Sequence, residues 1–333
     1  MHCGISRKNN GIWIVSGLFL SALVGAGFAT GREIFIYFAQ FGFLGFVGFF
    51  LACAILVFAS VRVLCGHEIS PFFRAVIRLF TFCGYVTMVA GFRNILSLLF
   101  PDVAKHYPVL FGVAACGIIS AFALLVLYRG FKFFAALCQI IPPLLIVCLL
   151  TISIFSIAQY GFPALPVDAL WRNPAFLIRT VLYIGYNVLF LTGVLGRGQT
   201  VSGRKGNVWG SILAGFLFLA GGMGTYVVLL QNIDRLSLST MPLCTLAQSW
   251  HWVLQYGFLG IVATAMLLCG ASTLGSASGV GVRRYFTGKM LILFAVPLSY
   301  IGFDKILTVI YPIFGAMGIF LLITLAQNHK KNV

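Results

Sequence analysis

Acidic residues are almost missing from this chain of 333 residues, which contains only six aspartates and glutamates. Charged residues of both signs make up 8% of the chain, whereas hydrophobic residues make up 61%. A soluble protein of this length covers its surface with charge, so the composition excludes a soluble globular domain. The sequence therefore predicts an all-α polytopic membrane protein with the lipid bilayer as its surroundings.

Motifs for catalysis and for metal binding are also missing. The nine cysteines form no C-x-x-C pair, and most of them lie inside apolar runs, as small packing residues do. Neither H-E-x-x-H nor G-x-S-x-G occurs, and no apolar span contains two acids. These absences argue against an enzyme and against an organic cofactor.

Ten apolar spans are present instead, most of them long enough to cross the hydrocarbon core of a bilayer. They cover residues 12–41, 43–64, 79–100, 107–128, 131–158, 174–195, 208–231, 251–274, 290–303 and 306–327. We predict a single transmembrane domain over residues 1–333, with five helices in residues 11–158 and five in residues 174–327. The span 290–303 is short and contains Pro297, so it is the weakest of the ten.

Basic residues cluster at alternate ends of these spans, which explains the net charge of +16 without a nucleic-acid partner. The rich ends carry Arg7, Lys8, Arg62, Arg74, Arg78, Arg129, Lys132, Arg197, Arg204, Lys205, Arg283, Arg284, Lys289, Lys330 and Lys331. The poor ends carry Lys105, Arg172, Arg235 and Lys305. Because positive loops stay in the cytoplasm, both termini are predicted to be cytoplasmic.

The first apolar span is too long for one straight membrane helix, and its centre is rich in glycine. Gly25, Gly27 and Gly31 fall within seven residues, and Arg32 and Glu33 follow directly. Glycine weakens a helix by about 1 kcal/mol relative to alanine. A backbone broken inside the membrane is tolerated where protein or a cavity satisfies its polar groups. We therefore expect a broken helix here, although a glycine-rich packing face is the alternative.

A second candidate break lies in the sixth span, where Gly185 precedes Tyr186 and Asn187. It falls in the first helix of the second half, as the earlier break falls in the first helix of the first half. Matching interruptions of this kind predict an inverted repeat of five plus five helices around a common site. The alternative for Asn187 is a hydrogen bond to a neighbouring helix.

The segment from Val24 to Ile34 resembles the first-helix signature of the YkvI-like bacterial membrane proteins. Tyr186-Asn187 with Val194-Leu195-Gly196 resembles the sixth span of that family, and Met241-Pro242 and Ser272-Thr273 fit its seventh loop and eighth span. The resemblance covers most of the chain. It implies the LeuT fold of the amino acid–polyamine–organocation superfamily. The family usually has glutamine where this chain has Arg32.

If the two broken helices meet at mid-membrane, exposed N–H groups of residues 27–30 would face a shared cavity. Such groups suit a substrate carboxylate, which favours an amino acid or a related zwitterion or carboxylate as the small-molecule substrate. The predicted substrate site consists of Gly25, Ala26, Gly27, Phe28, Ala29, Thr30, Gly185, Tyr186 and Asn187.

Charges within the spans are expensive in lipid and so point to gating or to substrate attraction. The candidates within the spans are Arg32, Glu33 and Arg93, and a fourth, Asp304, lies at the outer start of the tenth span. Glu33 is expected to pair with an arginine. The resemblance implies an outer-gate role for Arg32, with Asp304 as its partner. The alternatives are a structural ion pair for Glu33 and an Arg93 that extends to the lipid headgroups.

The resemblance also implies a sodium site between the first and eighth spans. Its predicted ligands are Ser272, Thr273 and Ser276 together with the backbone of Val24. Serine and threonine hydroxyls in membrane helices also bond their own helix carbonyls, and that alternative stays open. Lys132 would supply a fixed charge in place of the ion, or serve only as a cytoplasmic anchor, and a proton is the other candidate coupling ion.

The leading hypothesis is a secondary transporter of the bacterial cytoplasmic (inner) membrane that works by ion-coupled alternating access. The second hypothesis is a non-transporting ligand sensor of the same fold, similar to germinant-receptor subunits. The sequence leaves the direction of transport and the oligomeric state open.

Overall fold

The computed structural model of the protein describes residues 3–66, 69–163, 175–196, 202–236, 239–279 and 283–327. Of residues 3–10 it describes the backbone alone. The loop charges Arg172, Arg197, Lys330 and Lys331, which the sequence assigned to one side or the other, lie outside these residues.

Helices make up nearly all of the described chain, and no strand occurs in it. They are α1 (Cys3–Leu23), α2 (Ala26–Ala29), α3 (Arg32–Tyr37), α4 (Phe43–Leu64), α5 (Pro71–Leu99), α6 (Pro101–His106), α7 (Pro108–Arg129), α8 (Phe131–Cys138), α9 (Ile141–Tyr160), α10 (Ala175–Leu195), α11 (Arg204–Gln231), α12 (Ile233–Leu236), α13 (Pro242–Ala247), α14 (Trp252–Ala277), α15 (Arg284–Leu298), α16 (Phe303–Lys305) and α17 (Tyr311–Gln327). A π-helix, Ile306–Ile310, connects α16 to α17.

Eight of the described helical segments are long and apolar enough to cross a membrane. They are α4, α5, α7, α8 with α9, α10, α11, α14, and the run from α16 to α17. The remaining two predicted spans are shorter in the structure. The first is divided into α1, α2 and α3, and the ninth is the 15-residue α15 followed by a 3₁₀ turn, Ser299–Ile301. The all-helical membrane architecture is confirmed. Of the ten predicted spans, eight correspond to helices that are long enough to cross a membrane.

Proline and glycine fix several helix ends. Pro71 occupies the first turn of α5, where its missing N–H is no loss, and the Ser70 hydroxyl accepts the Phe73 N–H there at 3.4 Å. Gly130 separates α7 from α8 with φ 84°, a left-handed conformation that favours glycine. The helix pattern of this region therefore follows from local backbone chemistry.

The centre of the bundle is formed by α1, α5, α10 and α14. Helix α10 packs on α17, α4, α1 and α5, while α14 packs on α5 and α7, and α1 packs on α11. Bulky apolar side chains such as Phe50, Ile154 and Phe216 point outward, as a surface in contact with lipid requires. The break in the first span thus lies in the middle of the packed helices.

The predicted break in the sixth span is wrong, because α10 runs without interruption from Ala175 to Leu195. Gly185 serves close helix packing instead. A Cβ added at Gly185 would overlap the carbonyl oxygen of Gly315 in α17, and one added at Gly318 would overlap the carbonyl oxygen of Gly185. Small residues of this kind let two membrane helices approach backbone to backbone.

Candidate substrate site at the broken first helix

The first span is interrupted twice, once on each side of the four-residue helix α2. Helix α1 ends at Leu23, and the chain bends through Val24 and Gly25 before α2 begins. A turn at Thr30 and Gly31 then separates α2 from α3, with Gly31 at φ 77°. All of these residues are buried. The predicted break of the first helix is therefore confirmed, and it consists of two bends.

The polar groups freed at the break are satisfied partly by other helices. The Ala26 N–H donates to the Met88 sulfur of α5 at 3.4 Å. The Thr30 carbonyl accepts the Leu243 N–H of α13 at 2.9 Å, and the Thr30 hydroxyl donates to the Ala26 carbonyl at 2.7 Å. Helix α13 thus contacts the second bend through its backbone.

The expectation that the N–H groups of residues 27–30 all face a cavity is only partly correct. The Ala29 N–H bonds the Gly25 carbonyl at 2.9 Å, and the Thr30 N–H bonds the Ala26 carbonyl at 3.0 Å. Both groups are used inside the short helix. The N–H groups of Gly27 and Phe28 meet no acceptor among the described residues. The Phe28 ring stacks on Phe218 of α11, with ring centroids 4.6 Å apart.

Glu33 folds back onto the break and contacts Gly27. A Cβ added at Gly27 would overlap the Glu33 side chain, including its carboxyl group. The carboxylate accepts a hydrogen bond from the Tyr186 hydroxyl at 3.0 Å. Glu33 has only 4% of its surface exposed. The structure therefore brings Gly27, Glu33 and Tyr186 together, although the sequence predicted an arginine as the partner of Glu33.

Of the three candidates in α10, Tyr186 is the one whose side chain bonds a residue of the first span. Gly185 faces Gly315, as described above, and the Asn187 amide donates to the Tyr183 carbonyl of its own helix at 2.9 Å. The alternative for Asn187, a hydrogen bond from its amide to a neighbouring helix, is therefore not observed, because the amide N–H group donates within α10. Any direct substrate contact of Gly185 or Asn187 stays a prediction.

Arg32 forms an ion pair with Asp304, which lies in the short helix α16. Arg32 Nε lies 2.8 Å from Asp304 Oδ1, and Arg32 Nη1 donates to the Ser239 carbonyl at 2.9 Å. The two side chains are 12% and 33% exposed. This contact ties the second half of the broken helix to two other segments, as an outer gate would require, and the gating role itself stays a prediction.

If the protein is a transporter with a gate here, Arg32→Gln and Asp304→Asn should each lower uptake about tenfold, because a charged hydrogen bond contributes about 1.5–3 kcal/mol. Both variants break the same contact, so the double variant should be little worse than either single one. Initial uptake rates measure the effect, and Lys105→Gln is the control because Lys105 is exposed in α6. Additive losses would contradict a shared gate.

Arg93 belongs to a different contact. Its guanidinium lies 4.3 Å from the centre of the Tyr300 ring and donates to the Ser299 carbonyl at 3.4 Å. Arg93 thus links α5 to the 3₁₀ turn after α15, and the structure records no bond from it to Glu33 or to Asp304 within the described residues. Its role in gating stays a prediction.

The predicted sodium ligands lie on the buried face of α14. The Thr273 hydroxyl donates to the Cys269 carbonyl at 2.9 Å, and the Ser276 hydroxyl lies within hydrogen-bond distance of the Gly193 carbonyl in α10, at 2.9 Å. Ser272 is fully buried. Hydroxyls that donate to carbonyls keep lone pairs on their oxygens.

The backbone on the facing side also fits an ion. No donor in the described part of the chain reaches the Val24 carbonyl, because the bend at Gly25 removes the usual helical bond. A Cβ added at Gly25 would lie 3.3 Å from the Cys269 sulfur, so the break faces α14 one turn from Thr273. These oxygens suit a hard cation, although the sodium site stays a prediction.

Sequence reasoning missed several residues of the site. Tyr37, Tyr183 and Tyr311 surround Tyr186, and Met88 and Leu243 bond the broken backbone. The spacing of Tyr183 and Tyr186, three residues apart in one helix, and of Glu33 and Tyr37, four apart, was a usable signal because such pairs share a helix face.

A bundle of apolar helices packed around a broken first helix defines a membrane protein of the LeuT type, and comparisons with known proteins agree. No family model matches the chain. Two curated relatives from Bacillus subtilis (strain 168) do match. The uncharacterized membrane protein YkvI is 23% identical over 91% of each chain, and the uncharacterized protein YyaD is 22% identical over 92% of this chain and 94% of its own.

Two solved structures share the fold. One is MhsT in complex with L-phenylalanine, with a TM-score of 0.66 and 14% identity over 94% of this chain and 87% of that one. The other is a Na⁺-coupled sialic acid symporter in a substrate-bound outward-open state, with a TM-score of 0.52 and 14% identity over 93% of this chain and 76% of that one. The resemblance to YkvI-like membrane proteins of LeuT fold is thereby confirmed.

Proposed function

We propose that this protein is a secondary transporter that moves a small amino-acid-like solute by alternating access. The observation that carries the proposal is the doubly bent first helix, in which Glu33 contacts Gly27 and accepts a hydrogen bond from Tyr186 of α10. Broken helices at mid-membrane are where transporters of this kind bind their substrates. The fold is shared with a symporter and with a protein that binds L-phenylalanine.

We propose sodium as the coupling ion, held by the hydroxyls of Ser272 and Thr273 and by the Val24 carbonyl. A bound cation would supply positive charge between α1 and α14 and so tie the bend to the other half of the bundle. Thr273 and Val24 contribute oxygens there, and the ion would favour the conformation in which these oxygens lie close together.

The uptake experiment uses protein reconstituted into liposomes with labelled L-phenylalanine or L-alanine. We expect accumulation above that of protein-free liposomes when a sodium gradient is imposed, and little accumulation when potassium replaces sodium. Uptake driven by a proton gradient alone would remove sodium from the proposal but keep the transporter. Binding of a solute without flux under either gradient would favour the ligand sensor.

A second prediction concerns the sodium ligands. Thr273→Val removes a hydroxyl without changing the shape of the side chain, and we expect the sodium concentration for half-maximal uptake to rise about tenfold. Thr264→Val is a matched control, because Thr264 lies on the same helix and donates to the Gly260 carbonyl at 2.8 Å, yet is exposed. An equal effect of both substitutions would show that the hydroxyl matters only to the helix.

We further propose that the protein lies in the bacterial cytoplasmic membrane with both termini inside. The distribution of basic residues supports this orientation. A fluorescent protein fused to the C-terminus should fluoresce, and alkaline phosphatase fused there should be inactive. The reverse pattern would place the C-terminus outside.

A further inference from the structure

Glu33 is a buried acid that has no basic partner in the described part of the chain. The neighbouring Arg32 turns away from it to pair with Asp304, and this is the ion pair that the structure records among the described residues. The hydrogen bond recorded for the Glu33 carboxylate comes from Tyr186. A buried carboxylate without a cation is strongly disfavoured in a protein interior and more so in a membrane. The site therefore calls for a positively charged group or a proton.

Four tyrosines form the wall beside this acid. The ring centroid of Tyr186 lies 5.6 Å from that of Tyr37, 5.3 Å from that of Tyr183 and 5.0 Å from that of Tyr311. All four side chains are almost completely buried. Aromatic faces attract ammonium groups, and rings gathered around a carboxylate are a recurring way to bind an organic cation.

Two of these tyrosines have hydroxyl oxygens that can still accept a hydrogen bond. The hydroxyls of Tyr183 and Tyr311 are buried, and no partner meets them at full hydrogen-bond geometry. Asn187 and Thr87 lie beside them, and each keeps an acceptor oxygen for the tyrosine O–H while it donates to a carbonyl of its own helix. The lone pairs of the two tyrosine oxygens are therefore available to a ligand that donates N–H groups.

We propose that Glu33 and the four tyrosines bind the ammonium group of the transported solute. The inference rests on the proposed transporter function and names the chemical group that the site selects. A primary ammonium has three N–H donors, and the carboxylate and the oxygens of the Tyr183 and Tyr311 hydroxyls are acceptors. A proton on Glu33 would neutralise the acid but would make no use of the tyrosine faces. A bare sodium ion requires several oxygen ligands and makes no use of the tyrosine faces.

Gly27 connects this ammonium site to the bend in the first helix. Its missing side chain leaves room for the Glu33 carboxyl group. Tyr183, Tyr186 and Tyr311 are 0% exposed, so the cluster is closed to both sides in this structure. A solute would enter through the opening of the bundle that alternating access provides.

The test compares compounds that carry an amine and a carboxylate, an amine alone, or a carboxylate alone. One set is L-phenylalanine, 2-phenylethylamine and 3-phenylpropionate, and a second is L-alanine, ethylamine and propionate. Binding to the purified full-length protein is measured by the rise in its unfolding temperature with ligand concentration. We expect the amino acid or the amine of at least one set to bind, and the acid without an amine to bind at least about tenfold more weakly.

The substitution Glu33→Gln keeps the size of the side chain and the hydrogen bond from Tyr186. It should weaken amine binding at least about tenfold, while Asp102→Asn, which removes an exposed acid in α6, should leave it unchanged. Tyr183→Phe keeps the ring and removes one hydroxyl oxygen that accepts from the ammonium, so it should weaken binding less than Glu33→Gln does.

Other results would overturn the assignment. Equal binding of the amine-free acids, or unchanged amine binding in Glu33→Gln, would show that Glu33 does not select an ammonium. Stabilisation by sodium over potassium without any amine, lost in Glu33→Gln, would assign the carboxylate to the ion. If amines bind through Glu33 but no compound crosses the liposome membrane, the transporter proposal fails while the ammonium site stands.

Discussion

Leucine at position 27 is expected to abolish uptake. Gly27 lies in α2, between the two bends, and even a single added carbon would overlap the Glu33 side chain. Because Glu33 is buried and accepts a hydrogen bond from Tyr186, its carboxyl group cannot move aside without losing that bond. A side chain as large as leucine must therefore displace Glu33, the bend or α10. Overpacking of this kind typically costs 1–3 kcal/mol or more. Initial uptake rates in liposomes measure the effect.

Two further variants separate a blocked site from a general defect. Gly117→Leu places the same side chain at an exposed helix position where an added Cβ meets no neighbour, and it should transport normally. Gly27→Ala should lower the unfolding temperature, and adding Glu33→Ala should restore part of the loss, because the new methyl group then occupies vacated space. Uptake by Gly27→Leu equal to that of Gly117→Leu would remove the bend from the transport mechanism.

The break in the first span was predictable because its cause is local. Three closely spaced glycines weaken the helix by themselves, and a span longer than the bilayer core has to bend or tilt. The Arg32–Asp304 pair was also within reach of the sequence, since few acids are present and the family resemblance pointed to that partner. Features that depend on local composition, or on a few scarce charged residues, can thus be predicted from the sequence.

The partners of the break could not be predicted in the same way. The Leu243 N–H donates to the Thr30 carbonyl, and the Met88 sulfur accepts the Ala26 N–H. Each of these two residues is apolar, and nothing is unusual in the sequence around it. Their role is set by how distant helices pack. For the same reason the sequence did not reveal that Glu33 lacks an arginine partner, because Arg32 lies beside it in the chain and points elsewhere.

The sixth span shows how one residue type can serve two structures. A glycine beside an asparagine at mid-span suggests a break, but the same glycine also allows two helices to touch. Gly185 allows α10 to touch α17, and its partners Gly315 and Gly318 lie about 130 residues away in the chain. The inverted repeat of two five-helix halves stays a prediction, since the matching break on which it relied is absent from α10.

Alanine at position 185 is the second substitution with a large expected effect, and here the effect is on stability. In a helix, alanine normally replaces glycine with a gain of up to about 1 kcal/mol. At Gly185 the added carbon would overlap the Gly315 carbonyl, which belongs to the backbone of α17 and cannot rotate away as a side chain would. The two helices must separate along their whole contact, so we expect a loss of about 3 kcal/mol or more, at the upper end of overpacking costs.

A matched control substitution is expected to change the unfolding temperature in the opposite direction. Gly257 lies in α14 at an exposed position, and a Cβ added there meets no neighbour within 4 Å. Gly257→Ala should therefore raise the unfolding temperature of the purified protein slightly, whereas Gly185→Ala should lower it by several degrees or prevent folding. If both substitutions are neutral or stabilising, Gly185 does not pack against α17. A flexible or broken sixth helix, in which the added carbon is free to turn away from Gly315, would then become the better description of this span.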